Sequence, residues 1–171
     1  MITGQLARAG LFGMSLFFLA SCDETVGIGE TNFQRQYAIA RDALEEGRYE
    51  RASKAYAQLI PKAGPLAPRM QLEYAHAQLR AGHYDKASQV ARTLSQSEDD
   101  SLKSASLAVY GTAEHELGEA ALQRGDLTAG QQHLTAAQAA LGKMLKAHPE
   151  MDPLGAMAGR KAAVDARLER L

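Results

Sequence analysis

From residue 32 onward, apolar side chains recur every three to four positions, with Ala and Leu at most of the repeating positions and charged residues between them. That is the period of an amphipathic helix rather than the strict alternation of a strand. Breakers cut the periodic run at Gly47, at Pro61 to Pro65, at Gly82, at the polar Ser97-Glu98-Asp99-Asp100, at Gly125 and at His148-Pro149. The intervening segments predict helices over residues 32–46, 49–60, 66–81, 84–96, 100–124, 127–147 and 153–171. Asp152-Pro153 is expected to supply an N-cap and a first-turn proline for the last of these. The fold class expected is all-α. Residues 9–19 differ: they are apolar without helical periodicity, follow a short head containing Arg8, and stop at small residues before Cys22, the sole cysteine.

Two segments repeat without a gap. Leu44-Glu45-Glu46-Gly47-Arg48-Tyr49-Glu50-Arg51-Ala52-Ser53 aligns with Leu79-Arg80-Ala81-Gly82-His83-Tyr84-Asp85-Lys86-Ala87-Ser88, 35 residues later. A third, weaker copy starts at Leu122-Gln123-Arg124-Gly125-Asp126-Leu127, with Leu127 in place of Tyr and Gly130 in place of Ala. Its glycine stands 43 residues after Gly82, so residues have been inserted, and the fifth helix is expected to absorb them. Repetition at this period, one helix-turn-helix per copy, resembles the tetratricopeptide repeat (TPR), a unit of about 34 residues.

The resemblance implies an array of about three helical hairpins, covering residues 33–65, 66–98 and 102–147, with the segment 153–171 as a capping helix whose charged face meets solvent. Small residues belong where paired helices cross closely, which suits Ala40 with Ala52, Ala75 with Ala87, and Gly118 with Gly130. Larger groups should fill the space between units: Ile39, Tyr56 and Leu59, then Tyr74 and Leu94, then Leu117 and Leu134. Gly47, Gly82 and Gly125 would stand at turns that need a left-handed backbone.

At the other end, the order of head, apolar run and small residues is that of a signal peptide over residues 1–21. The run is too short for a permanent span, which needs about 20 apolar residues. Leu19-Ala20-Ser21-Cys22 resembles the lipobox of bacterial lipoproteins. What this implies is cleavage before Cys22, a diacylglycerol on its sulfur and usually an acyl chain on its new amino group. At about 0.8 kcal/mol per buried CH2, two or three chains make a lasting membrane anchor. Asp23 after the cysteine resembles the inner-membrane retention signal of enterobacterial lipoproteins, which favours the inner membrane with the domain facing the periplasm. Residues 23–31 then read as a flexible tether.

Charge is nearly balanced, 19 Lys plus Arg against 20 Asp plus Glu, so nothing in the composition suits nucleic acid. No nucleophile elbow, phosphate loop, dinucleotide fingerprint or zinc-binding H-E-x-x-H pair is present in the sequence. No catalytic residue, metal or cofactor is therefore expected. His115 and His133 could face one another across the third hairpin, the one arrangement that would favour a metal- or cofactor-dependent enzyme on a helical scaffold.

The TPR resemblance places a ligand groove along the first helix of each hairpin. Its lining would include Gln34, Tyr37, Arg41 and Glu45, then Arg69, Leu72, His76 and Arg80, then Thr112, His115, Glu119 and Gln123. Tyr37 with Arg41, Arg69 and Arg80 makes the first half mildly basic and partly aromatic, a surface for a peptide bearing a carboxylate. A cell-wall glycan module would need several exposed aromatics there, and only Tyr37 is available. The expectation is a lipid-anchored scaffold or adaptor that holds a protein partner, similar to small TPR lipoproteins of pilus and secretin assembly systems.

Overall fold

The computed structural model describes residues 28–171, and side chains from residue 32. The expected signal peptide and Cys22 lie outside the described residues, as does most of the tether. Seven α-helices follow one another: α1 (Ile28–Glu45), α2 (Tyr49–Leu59), α3 (Ala67–Arg80), α4 (Tyr84–Leu94), α5 (Asp100–Gln123), α6 (Leu127–Ala147) and α7 (Ala156–Leu168). Short 3-10 turns at Ile60–Lys62, Gly64–Leu66 and Pro149–Met151 join them, and no strand occurs among the described residues. The protein is all-α. Helix α1 begins at residue 28, so the last four residues of the expected tether are helical.

The pairs α1/α2, α3/α4 and α5/α6 are hairpins closed by the same turn. Gly47, Gly82 and Gly125 adopt φ of 77°, 81° and 82°, a backbone region that side chains disfavour. In each turn the residue after the glycine donates its N–H to the carbonyl five positions back: Arg48 to Ala43 (2.8 Å), His83 to Gln78 (2.9 Å) and Asp126 to Ala121 (3.0 Å). The glycine N–H itself bonds to Leu44, Leu79 or Leu122. This is the Schellman arrangement, which satisfies the last carbonyls of one helix while the next begins one residue later.

Each helix packs against its neighbours in sequence, and α3 also packs against α5. Ala40, Ala52, Ala75 and Ala87 are fully buried, as the close crossings require. In the third hairpin a Cβ on Gly118 would lie 2.8 Å from Leu134 Cγ, and one on Gly130 would lie 2.6 Å from Leu122 Cγ. Tyr56, Leu59 and Leu134 are fully buried, whereas Ile39, expected inside, is 44% exposed. The reason is its place on α1, the first helix described: only the face turned to α2 and α3 is covered. One core cluster gathers Ala40, Ala43, Tyr56, Leu59 and Met70, and a second joins Leu134 and Ala137 of α6 to Val164 of α7.

The inserted residues lengthen both helices of the third hairpin. Helix α5 starts 25 residues before its turn glycine and α3 only 15 before its own, so α5 and α6 overshoot the second hairpin by about 15 Å at 1.5 Å per residue. The cap of α7 also differs from expectation. Asp152 does cap, accepting from the Met157 and Ala158 N–H groups at 3.0 and 2.9 Å, but it does so across a turn in which Gly155 has φ 70°, and Pro153 stays outside the helix. The charged face of α7 is only partly solvated. Arg160 binds Glu116 of α5 at 2.8 Å, Arg167 approaches Glu119, and Asp165 accepts from Gln138 of α6 at 2.8 Å, while Glu169 and Arg170 are exposed.

Candidate functional site

Helices α1, α3 and α5 share a face that holds two contiguous cavities. The first, about 370 Å³, is lined by Arg41, Leu44, Glu45, Tyr49, Glu73, His76 and Arg80. The second, about 440 Å³, is lined chiefly by Arg69, Leu72, Ala105, Val109, Thr112, Met151 and Met157, and shares Glu73 and His76 with the first. A more open recess of about 780 Å³ lies at the start of α1, where Phe33, Gln34 and Tyr37 face Lys62, Pro65 and Leu66 of the connection to α3. Nine residues expected in the groove, Gln34, Tyr37, Arg41, Glu45, Arg69, Leu72, His76, Arg80 and Thr112, thus line these three depressions.

The electrostatics are less basic than expected. Arg41 donates to Glu45 Oε1 through Nη2 at 2.7 Å and through Nε at 3.2 Å. Those bonds, with help from Tyr37, push the guanidinium pKa up. Arg69 is held at 3.0 Å by Glu73, whose carboxylate is 8% exposed at the wall between the cavities. Both cations are therefore matched within one helical turn. Arg80 instead donates to the Tyr49 hydroxyl at 2.5 Å, its guanidinium carbon 4.9 Å from that ring's centre. Burial holds His76 below its ordinary pKa of 6.5; Glu73 opposes the shift and Arg80 adds to it, so the ring is neutral at pH 7.

Tyr37 serves the core as much as the surface. Its ring meets Tyr56 edge to face at 6.3 Å. Leu72, 9% exposed, forms the floor of the second cavity rather than an open lining.

His115 and Glu119 are not brought into this site. Arg160 of α7 donates to His115 Nδ1 at 2.6 Å, and Arg167 lies 3.3 Å from Glu119, near enough for charge attraction but without hydrogen-bond alignment. Thr112 reaches Met157 Sδ at 3.8 Å. Helix α7 thus covers the part of the face expected of the third copy, through Met157, Arg160 and Arg167. Nor do His115 and His133 converge: His133 Nδ1 lies 2.8 Å from Glu114 Oε2, on a different face from the His115–Arg160 contact. No group of three His, Cys, Asp or Glu side chains positioned for a metal occurs among the described residues.

Sequence reasoning missed Glu73, Met151 and Met157. The Arg69-Glu73 spacing of four was a legible signal for the first. The two methionines carried none, because their place depends on how the 148–155 connection folds back on α5. Together the cavities offer apolar walls, a carboxylate already paired, and a partly buried imidazole, a set able to hold a side chain or short segment. No helix among the described residues is long and apolar enough to cross a membrane. No protein-family model, curated protein or solved structure matches the chain.

Proposed function

We propose that this protein is a TPR-type adaptor, lipid-anchored through Cys22 at the periplasmic face of a bacterial envelope membrane, that holds a protein partner for a pilus- or secretion-type assembly. The observation that carries the reading is the pair of contiguous cavities on α1, α3 and α5, joined at Glu73 and His76. Leu72, Val109, Met151 and Met157 offer an adaptable apolar socket for one side chain of a bound segment, since methionine conforms to varied shapes. Glu73 and His76 give polar contacts beside it. The three glycine turns and the buried small-residue crossings support the repeat assignment, and the 19–22 motif supports the anchor. The assembly class rests on analogy at the level of fold. In this reading the lipids fix the protein at the surface and the site raises the local concentration of its partner.

Two measurements test it. Intact-mass analysis of the native protein should find a chain starting at Cys22 with the mass of a diacylglycerol and an acyl group added; a chain retaining Met1 and a free thiol ends the anchor proposal. A photo-crosslinking residue at position 76 should capture an assembly component in native membranes that the same residue at the exposed Arg51 does not. Equal capture from both positions removes the site from the reading.

A further inference from the structure

The overshoot of α5 and α6 leaves a recess that the proposed adaptor site does not use. It has a volume of about 430 Å³ and lies beside the end of α4, between that end and the extended parts of α5 and α6. Three cations from three different helices line it: Arg92 of α4, Lys103 of α5 and Lys143 of α6. The carboxylate that also lines it, Asp100, is engaged by Lys103 at 3.3 Å, and the neighbouring His148 is engaged by Glu150 at 2.7 Å. Arg92 and Lys143 have no carboxylate partner among the described residues.

Two features keep this positive charge from being cancelled. A helix C-terminus ordinarily presents partly negative carbonyls. At the end of α4 those carbonyls are occupied: Ala91 accepts from the Ser95 N–H (2.9 Å), Arg92 from the Ser95 hydroxyl (2.7 Å), Thr93 from Gln96 (3.2 Å) and Leu94 from Ser97 (3.0 Å). Secondly, the floor is apolar. Ala136, Ala140 and Ala147 recur on α6 at helical spacing, opposite Leu107 and Tyr110 of α5. An anion seated here is shielded on one side from water, which strengthens its attraction to the cations.

We infer that this recess is a second docking site, for an acidic helical segment of a protein partner. The alanine floor lets a helix approach closely, and Arg92 and Lys143, which have no carboxylate partner among the described residues, attract the carboxylates of that segment. The site is independent of the cavities on α1, α3 and α5, so the partner can be held at both.

The test uses the full chain and a fluorescein-labelled alanine-rich peptide with glutamates four residues apart, followed by fluorescence anisotropy. Binding should saturate, weaken as salt rises, and fall at least tenfold in Arg92→Glu and in Lys143→Glu. It should be blocked by Ala139→Trp, which fills the recess without changing charge, and be unchanged by Lys54→Glu on α2 and by His76→Ala. Circular dichroism confirms that each variant keeps its helices. Absence of saturable binding overturns the inference, as does an equal loss in Lys54→Glu. Binding of phosphatidylglycerol vesicles through Arg92 and Lys143 in the absence of peptide binding also overturns it, since the recess would then be a lipid contact.

Discussion

Gly118 of α5 and Leu134 of α6 are packed so closely that a Cβ on the glycine would stand 2.8 Å from the leucine Cγ and 3.2 Å from its backbone nitrogen. The crossing of the two longest helices therefore depends on a missing side chain. Gly118→Ala gains about 1 kcal/mol of helix propensity but meets a fully buried leucine, and overpacking costs roughly 1–3 kcal/mol. A net loss of up to about 2 kcal/mol is expected from urea denaturation. Gly111→Ala, whose Cβ would lie 2.8 Å from Leu141 Cγ, should behave alike. Gly159→Ala is the control: nothing lies within 4 Å, so the variant should be stabilised by up to about 1 kcal/mol. Equal effects at positions 118 and 159 would mean that α5 and α6 do not cross as described.

A different glycine role applies at the turns. Gly82 has φ 81° with nothing within 4 Å of the place a Cβ would occupy, so Gly82→Ala carries only a backbone penalty. A loss of about 1–2 kcal/mol is expected, the cost of a left-handed conformation for an ordinary residue. Asparagine, which tolerates that region better, should lose less. Thermal denaturation of the three proteins checks the order Gly, Asn, Ala.

These two glycine classes show what the sequence made readable. The turn glycines recur in register with Leu three positions before and, in two copies, Tyr two positions after, so their conformation and the hairpins followed from pattern alone. The crossing glycines were readable because Gly130 stands where the other copies have alanine. Ile39 was misplaced because periodicity marks an apolar face without saying whether another helix exists to cover it. His115 and Glu119 were assigned to an open groove because helix spacing alone cannot show that Arg160 and Arg167, more than 40 residues away, would reach them. The basic recess was invisible for a similar reason: Arg92, Lys103 and Lys143 meet only through the mismatch in helix length.

Glu114 sits 6% exposed at the junction of three helices, accepting from the Ser88 hydroxyl of α4 at 2.5 Å and contacting His133 Nδ1 of α6 at 2.8 Å. Glu114→Ala leaves the buried Ser88 hydroxyl without its acceptor, which costs roughly 1–3 kcal/mol. Glu114→Gln keeps one acceptor oxygen and should cost less. Adding Ser88→Ala to Glu114→Ala should cost less than the sum of the two single losses, because the orphaned hydroxyl is removed with its partner. Strict additivity in urea denaturation would show that Ser88 and Glu114 are uncoupled.

The histidines make stability depend on pH in a predictable direction. Burial first, then the Arg160 guanidinium, holds His115 below its ordinary pKa of 6.5, although Glu116 and Glu119 pull the other way. His76 is lowered as well, again chiefly by burial. For both, the unfolded chain takes up a proton at higher pH than the folded protein does, so their contribution is fully present above pH 6.5 and is lost as pH falls toward the folded values. The urea midpoint should therefore drop between pH 7.5 and 5.5. His76→Gln combined with His115→Gln should flatten that slope. Arg160→Gln should raise the His115 pKa, because it removes the second cause of the depression and leaves the first in place. Proton NMR titration of the two rings checks each statement directly: both should titrate below 6.5, and a His115 ring that titrates above that value would contradict the Arg160 contact on which α7 is seated.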